Sequence, residues 1–136
     1  MNPSKSLDTK PLWVPDCGHA LRLAGVHFDA VRIPGVVGEE VAYHLMEFTD
    51  FQAGPIVREA ARGRNLYFLL APGTASGFVW PAPVRALGGG RGGESYVGIP
   101  ALDGTTWPLG WRSLPTVEDP FVEGELLHQT VESALR

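Results

Sequence analysis

Glycine and proline interrupt this chain so often that they restrict the folds open to it: 17 glycines and 12 prolines make up about a fifth of its 136 residues. Glycine weakens a helix because its backbone loses the most freedom on folding, and proline removes a hydrogen-bond donor. Both residues favour turns. The sequence therefore predicts short elements joined by many turns, and long helices cannot dominate the fold.

The size and composition of the chain fit one compact domain. Hydrophobic residues make up 44% of the chain and charged residues 19%, which is typical of a globular protein and not of a disordered one. At this length roughly two thirds of the unfolded surface is buried on folding. We predict a flexible N-terminal arm over residues 1–12, which lack hydrophobic periodicity, and a single domain over residues 13–136.

The cysteine content and the hydropathy pattern indicate the compartment. Cys17 is the only cysteine of the chain, so neither an internal disulfide nor a zinc cluster of thiolates can form. This usage is typical of a reducing cytoplasm. No apolar run approaches the roughly 18 residues that cross a bilayer, and the first residues do not resemble a secretory leader. The sequence predicts a cytoplasmic protein with no membrane contact.

The net charge of −4 is modest, but it is unevenly distributed. Residues 29–50 contain five acids and one Arg, and residues 118–136 again contain five acids and one Arg. Residues 54–91 reverse this balance with five Arg and one Glu. The acidic segments favour a protein partner, either another protein or a second copy of the chain. The basic segment leaves weak binding of a nucleotide or a nucleic acid open.

Three segments in the first half of the chain show clear periodicity. Residues 27–33 predict a strand that ends at Pro34-Gly35. The apolar residues at positions 37, 41, 45 and 48 then form one stripe of an amphipathic helix. Residues 65–71 are almost continuously apolar and predict a buried strand.

The second half of the chain has weaker signals. Residues 95–99 alternate like a strand, and Trp107 and Trp111 flank an expected hairpin or wide turn. Asp119 as N-cap and Pro120 at the first helical position predict a C-terminal helix whose apolar side docks on the sheet. Together these elements predict an α+β fold: a mixed sheet of four or five strands, one helix after the first strand and one C-terminal helix.

Three motifs follow one another between residues 26 and 112. The stretch from Ala30 to Gly35 is an apolar strand followed by a Pro-Gly turn, and the segment Gly63-Arg64-Asn65-Leu66-Tyr67-Phe68 leads to Pro72-Gly73. The third motif runs from Gly92 to Pro100, with Trp107 beyond it. Their order and spacing resemble the N-terminal domain of bifunctional DNA primase/polymerases, the prim-pol family. The resemblance implies a reduced prim-pol core.

The chain departs from this family at the positions that carry the chemistry. Polymerases hold two divalent cations with carboxylates, but Arg32 and Pro34 stand where the family has its acids. Asn65 replaces the histidine that lies beside the triphosphate, and it cannot carry positive charge. Asp29 is not a simple substitute, because an odd spacing from Arg32 places it on the other face of the strand. The resemblance implies a retained scaffold without catalytic residues, bound metal or cofactor.

Two function classes remain open. The first is a non-catalytic accessory or regulatory protein that binds a protein partner, with additional binding of a nucleotide or nucleic acid left open. The second is an active primase, polymerase or nucleotidyltransferase whose metal-binding carboxylates come from Asp29, Glu94 or Asp103. The residues expected to contact phosphate or nucleic acid are those that bracket or begin the retained strand and the glycine loop, namely Arg62, Arg64, Asn65 and Arg91.

Other motifs have a simpler structural interpretation. Gly88-x-Gly90-x-x-Gly93 matches the dinucleotide fingerprint in its letters, but a strand follows it where that motif needs a helix. Cys17-x-His19 offers two metal ligands, whereas a zinc site needs three or four. Packing in the core, with the indole N–H groups bonded at its edge, is the expectation for the large aromatic residues Tyr67, Trp80, Trp107 and Trp111.

Overall fold

The computed structural model describes residues 10–61, 63–88 and 94–136. In chain order its elements are β1 (His19–Leu23), β2 (Asp29–Pro34), α1 (Gly35–Phe48), β3 (Ile56–Glu59), β4 (Asn65–Leu70), a 3₁₀ turn (Ala75–Gly77), β5 (Arg85–Leu87), β6 (Tyr96–Pro100), β7 (Leu109–Ser113) and α2 (Gly124–Ala134). The predicted α+β class is confirmed. Most of the predicted arm (residues 1–9), Arg62 and most of the glycine loop with Arg91 (residues 89–93) lie outside the described residues.

The main sheet has five strands in the order β5-β2-β4-β3-β7. Every described pair in it is antiparallel, so the expectation of a mixed sheet was wrong. For β3 and β4 the reason lies in the short connection of residues 60–64, because a link of that length joins antiparallel neighbours and is too short for a parallel crossover. Strands β1 and β6 pair separately as an antiparallel two-stranded ribbon.

The two faces of the main sheet are covered differently. Val31 and Ile33 of β2 point towards α1 and α2 and join the larger core cluster, which includes Leu45, Phe68 and Leu127. Ala30 of the same strand points to the opposite face, where the ribbon and the N-terminal Trp13 cover it. The molecule therefore has three layers, with the sheet between a helical layer and the ribbon.

Helix α1 approaches the sheet closely because of its own sequence. Its inward stripe, Val41, Ala42 and Leu45, is fully buried. At Gly38 a side chain is impossible without movement, since a Cβ atom there would lie 2.7 Å from the carbonyl oxygen of Ile33. Helix α1 was predicted from its periodicity, and the structure confirms the helix. The prediction that Phe48 belongs to its buried stripe was wrong: Phe48 is the last residue of the helix, and its side chain is 76% exposed.

Helix α2 is docked as predicted, but it begins later than predicted. Leu127 and Val131 are fully buried against the core. The N-cap is Glu123, whose carboxylate accepts hydrogen bonds from the backbone N–H groups of Leu126 and Glu125. Asp119 does not cap the helix. Ahead of α2 the backbone N–H of Val122 donates to Leu69 O at 2.7 Å, which ties this segment to β4.

The loop after β4 contacts both β2 and α2. Asp29 at the start of β2 accepts a hydrogen bond from the backbone N–H of Ala75 at 3.0 Å. The indole Nε1 of Trp80 donates to Ala75 O at 2.9 Å. The Trp80 ring meets the His128 ring edge-on, with 5.2 Å between centroids, and Phe78 stacks on His128 from another side.

Four strands were missed by sequence reasoning, namely β1, β3, β5 and β7. In β1 and β5 no alternation of apolar and polar residues marks a buried face, and β5 is only three residues long. The segment expected to form a hairpin or wide turn around Trp111 is strand β7, which pairs with β3 across a bulge. No described helix is long and apolar enough to span a bilayer.

Candidate binding surfaces on the two flanks of helix α1

Arg64 follows α1 in sequence, but in the folded structure it lies next to Gly35, the first residue of α1. Its backbone has a left-handed φ of 61°, and its carbonyl oxygen accepts a hydrogen bond from Gly35 N at 2.8 Å. The side chain is exposed, and no acid of the described residues pairs with it. Of the four predicted contact residues, Arg64 is thus the one that presents a free cation in the described structure.

Arg64 lines a cleft of about 620 Å³ on one flank of α1. We call it the arginine cleft; its lining is Gly35, Val36, Glu39, Arg58, Ala60, Gly63, Arg64, Leu66 and Trp107. Two apolar side chains at this cleft are unusually exposed, Val36 at 85% and Trp107 at 74%. The expectation that Trp107 packs in the core was therefore wrong, whereas Trp80 and Trp111 are partly buried with bonded indole N–H groups.

Glu39 joins α1 to two strands of the sheet within this cleft. Its Oε2 accepts hydrogen bonds from Arg58 Nε at 2.9 Å and Nη2 at 2.8 Å, and its Oε1 accepts one from Arg112 Nε at 2.9 Å. Partial burial raises the pKa of Glu39, but the hydrogen bonds and charges of Arg112 and Arg58 outweigh it and hold the pKa below its ordinary value. The one acid of the cleft is thus already neutralised.

Asn65 does not belong to the arginine cleft. It begins β4 on the ribbon side of the sheet, where its Nδ2 donates to Glu59 Oε1 at 3.4 Å. The Tyr67 hydroxyl donates to the same oxygen at 3.3 Å. Burial, and next the charge of Glu59, raise the pKa of Tyr67, and Arg32 opposes them. The structure therefore separates Asn65 from Arg64, although the two are adjacent in sequence.

Arg32 occupies a basic and polar row on the same side of the sheet as Asn65. In the strand register it stands opposite Arg85 of β5 and opposite Tyr67 of β4. Two guanidinium groups thus lie across neighbouring strands at the place where the prim-pol resemblance would put a carboxylate. Divalent cations and two arginines repel one another, so the local charge opposes metal binding there.

The acids considered as replacement metal ligands do not come together. Asp29 is only 2% exposed; its Oδ2 bonds to Ala75 N, and its Oδ1 has no hydrogen-bond partner and lies against Gly88. It points to the helical side of the sheet, opposite to Arg32, as the odd spacing predicted. Within residues 10–61, 63–88 and 94–136, no three His, Cys, Asp or Glu side chains form a group that could hold a metal ion. Glu94, Asp103 and the Cys17-x-His19 pair are included in that statement.

A second surface lies on the other flank of α1, between it and α2. This groove has a volume of about 600 Å³. We call it the acidic groove; its lining is Glu40, His44, Glu47, Phe48, Leu126, Gln129, Thr130, Ser133 and Ala134. Phe48 is 76% exposed. His44 lies 3.9 Å from Glu40, and no described Lys or Arg pairs with Glu40 or Glu47.

Sequence reasoning did not find either surface as a unit. The apolar stripe of the helix leaves Glu39, Glu40 and Glu47 outside it, but it does not distinguish the acid that binds two arginines from the two that bind no described Lys or Arg. The available signal was the helical wheel, because Glu39 projects about 100° from Glu40 and so faces another neighbour.

Comparison with known protein families, with curated proteins and with solved structures finds no match to this chain.

Proposed function

We propose that this chain is a non-catalytic accessory or regulatory protein, derived from a prim-pol scaffold, that acts by binding a protein partner. The observation that carries the proposal is the acidic groove, where the exposed Phe48 lies among carboxylates that no described Lys or Arg neutralises. Exposed apolar side chains surrounded by polar ones are typical of protein interaction sites. The partner is expected to offer basic and apolar groups together.

The non-catalytic part of the proposal rests on the residues of the ribbon side. Arg32, opposite Arg85, supplies positive charge where a polymerase needs carboxylates. Asn65 is uncharged and donates to Glu59. The cytoplasmic location is proposed from Cys17, which is exposed and has no second cysteine to pair with.

A photo-cross-linking experiment tests the protein partner. Phe48 is replaced by a photoreactive phenylalanine analogue in the native cells, and the same analogue at Val26, an exposed position on another surface, serves as the control. We expect a discrete protein adduct from position 48 and none from position 26. If position 48 gives no adduct, or both positions give the same products, the acidic groove is not the partner site.

A primer-extension assay with Mg²⁺ or Mn²⁺ tests the absence of catalysis. We expect no metal-dependent incorporation of nucleotides. The competing function, a polymerase or nucleotidyltransferase with relocated carboxylates, predicts product that disappears in Asp29→Asn, Glu94→Gln or Asp103→Asn. Such a result would overturn the proposal.

A second candidate function, weak binding of a single-stranded nucleic acid, is favoured by one observation: the free Arg64 and the exposed Trp107 line the same cleft. Exposed aromatic rings stack on bases, and arginines contact phosphates. With about three phosphates neutralised, the log-log salt slope of binding would be about −2. The part of Arg62 and Arg91 in such binding stays a prediction.

Arg64→Gly tests this candidate, because glycine adopts the left-handed backbone of that position without strain. We expect the slope to become less steep by about 0.7, the share of one phosphate on a single strand. Arg136→Ala, at the exposed C-terminus, is the control. Equal binding by both variants and the wild type would exclude the arginine cleft as the nucleic-acid surface.

A further inference from the structure

We infer that the protein partner is a second copy of this chain, and that the arginine cleft of one copy docks on the acidic groove of the next. This inference rests on the proposed function, and it names the partner. Both surfaces carry exposed apolar side chains, and their charges are opposite.

The charges of the two surfaces are opposite. In the arginine cleft Glu39 is already held by Arg58 and Arg112, so Arg64 remains as a free positive charge. In the acidic groove Glu40 and Glu47 keep their negative charge unpaired by any Lys or Arg of the described part. Opposite potentials of this kind steer association and set the orientation of two partners.

The exposed apolar groups are matched as well. Trp107 and Val36 are exposed to solvent at the arginine cleft, and Phe48 is exposed to solvent in the acidic groove. A buried aromatic side chain removes roughly 150–250 Å² from water, so seating Trp107 beside Phe48 covers the two most exposed aromatic rings of the two surfaces. Charges alone would give only a diffuse encounter, whereas these rings supply a contact of defined shape.

The placement of the surfaces on one helix bears on the symmetry of the assembly. Glu39 faces one flank of α1, and Glu40 with His44 faces the other. A two-fold dimer with its axis at either surface would bring two like surfaces together, and two acidic grooves would repel each other. A two-fold dimer that pairs each cleft with the groove of the other copy would stop at two chains. A single contact between a cleft and a groove is head-to-tail, and it leaves one cleft and one groove free at the ends of every assembly, so association continues with concentration.

Sedimentation of the full chain across a range of concentrations tests this inference. At low salt we expect the mean mass to rise steadily with concentration and not to stop at a dimer. Raising the salt from about 0.02 M to about 0.5 M should weaken association, because the screening length falls several-fold. A wild-type chain that stays monomeric at every concentration would overturn the inference.

Two double variants, each blocking one surface, make the test specific. Arg64→Gly with Trp107→Ala blocks the cleft, and Glu47→Ala with Phe48→Ala blocks the groove. All four side chains are exposed, so the fold should be retained, which circular dichroism checks. Each variant alone should associate at least about tenfold more weakly than the wild type, as truncated interface anchors do.

The mixture of the two variants gives the sharpest outcome. One intact cleft and one intact groove remain, so we expect a one-to-one dimer that grows no further. If either variant alone associates like the wild type, or if the mixture stays monomeric while the wild type associates, the head-to-tail contact is wrong.

The cross-link from position 48 separates this failure from failure of the proposed function. An adduct with the mass of two chains supports the second copy as partner. An adduct of another mass overturns that choice but keeps the protein-partner function. The absence of any adduct means that the acidic groove is not the partner site, which removes the observation that carries the proposed function.

Discussion

The two flanks of helix α1 differ in whether their acids are paired with arginines. On the cleft side Glu39 binds Arg58 and Arg112, which attaches the helix to β3 and β7. On the groove side Glu40 and Glu47 attach the helix to no described Lys or Arg. The first set of charges contributes to the fold, whereas the second is kept free and is available to a partner.

The two surfaces are also stabilised by different interactions. The arginine cleft depends on ion pairs between α1 and the neighbouring strands β3 and β7, and ion pairs that are partly exposed contribute little individually. The acidic groove depends on the packing of α2 against the core, which contributes more because whole apolar side chains are buried. Substitutions should therefore affect the groove through packing first and the cleft through electrostatics.

The largest effect is expected from Leu127→Ala, which removes the fully buried anchor of the groove wall. The loss of buried apolar atoms and the resulting cavity should lower the free energy of unfolding by about 2 to 5 kcal/mol. Chemical denaturation measures it, with Leu126→Ala, which is only partly buried, as the milder control. An unchanged unfolding midpoint would show that α2 is not docked.

The next effect is expected from Gly38→Ala, which acts on both surfaces at once. The added methyl group would lie 2.7 Å from Ile33 O, so α1 must move away from β2. Forced movement of this kind typically costs about 1 to 3 kcal/mol. Gly77→Ala, where nothing lies within 4 Å of the new Cβ, is the matched control. Equal stability of both variants would mean that α1 has room to shift.

A smaller effect is expected from Glu39→Gln. Because the acid and Arg58 are about half exposed, the loss should be about 1 kcal/mol or less, and thermal unfolding at neutral pH measures it. The pKa of Glu39 is lower in the folded protein than its ordinary value of 4.5. Its contribution is therefore complete above that value and is lost as the pH falls through the lower folded pKa.

The pH dependence distinguishes this ion pair from a general surface effect. The difference in stability between wild type and Glu39→Gln should disappear in acid, below the folded pKa of Glu39. A difference that persists unchanged to low pH would assign the loss to packing and not to charge.

The smallest effect is expected from Glu47→Gln in the acidic groove. No described Lys or Arg pairs with Glu47, so the free energy of unfolding should change by less than about 0.5 kcal/mol. Repulsion from Glu40 should also fall slightly. A clear destabilisation would mean that the two flanks do not differ as described, and a thermal melt beside that of Glu39→Gln decides it.

The elements with strong local patterns were predictable from the sequence. Strand β4 is a continuous apolar run, and α1 has a regular stripe, so each was located to within a few residues. The predicted start of α2 was wrong, because Asp followed by Pro usually marks the first turn of a helix and Asp119-Pro120 does not do so in this chain. In the fold, however, Asp119 N bonds to Thr116 Oγ1 and the following Val122 bonds to β4.

The two surfaces were not predictable, because they depend on contacts between distant residues. Glu39 meets Arg58 across 19 residues and Arg112 across 73 residues. Those pairings follow from the register of β3 with β7, which no local pattern encodes. Trp107 was expected in the core because large aromatic side chains are usually buried. Its exposure follows from its position beside an open cleft, which the sequence does not reveal.

The hydrogen bonds from Asp29 through Ala75 to Trp80 couple one wall of the acidic groove to the first residue of β2. Helix α1 is held against the sheet by its buried stripe, by the ion pairs of Glu39 and by the close approach at Gly38. Helix α2 packs on the core through Leu127 and Val131, and through His128 it also contacts the loop that bonds to Asp29. A partner that displaces α2 is therefore expected to move this loop as well, so that binding in the groove would be felt at Asp29.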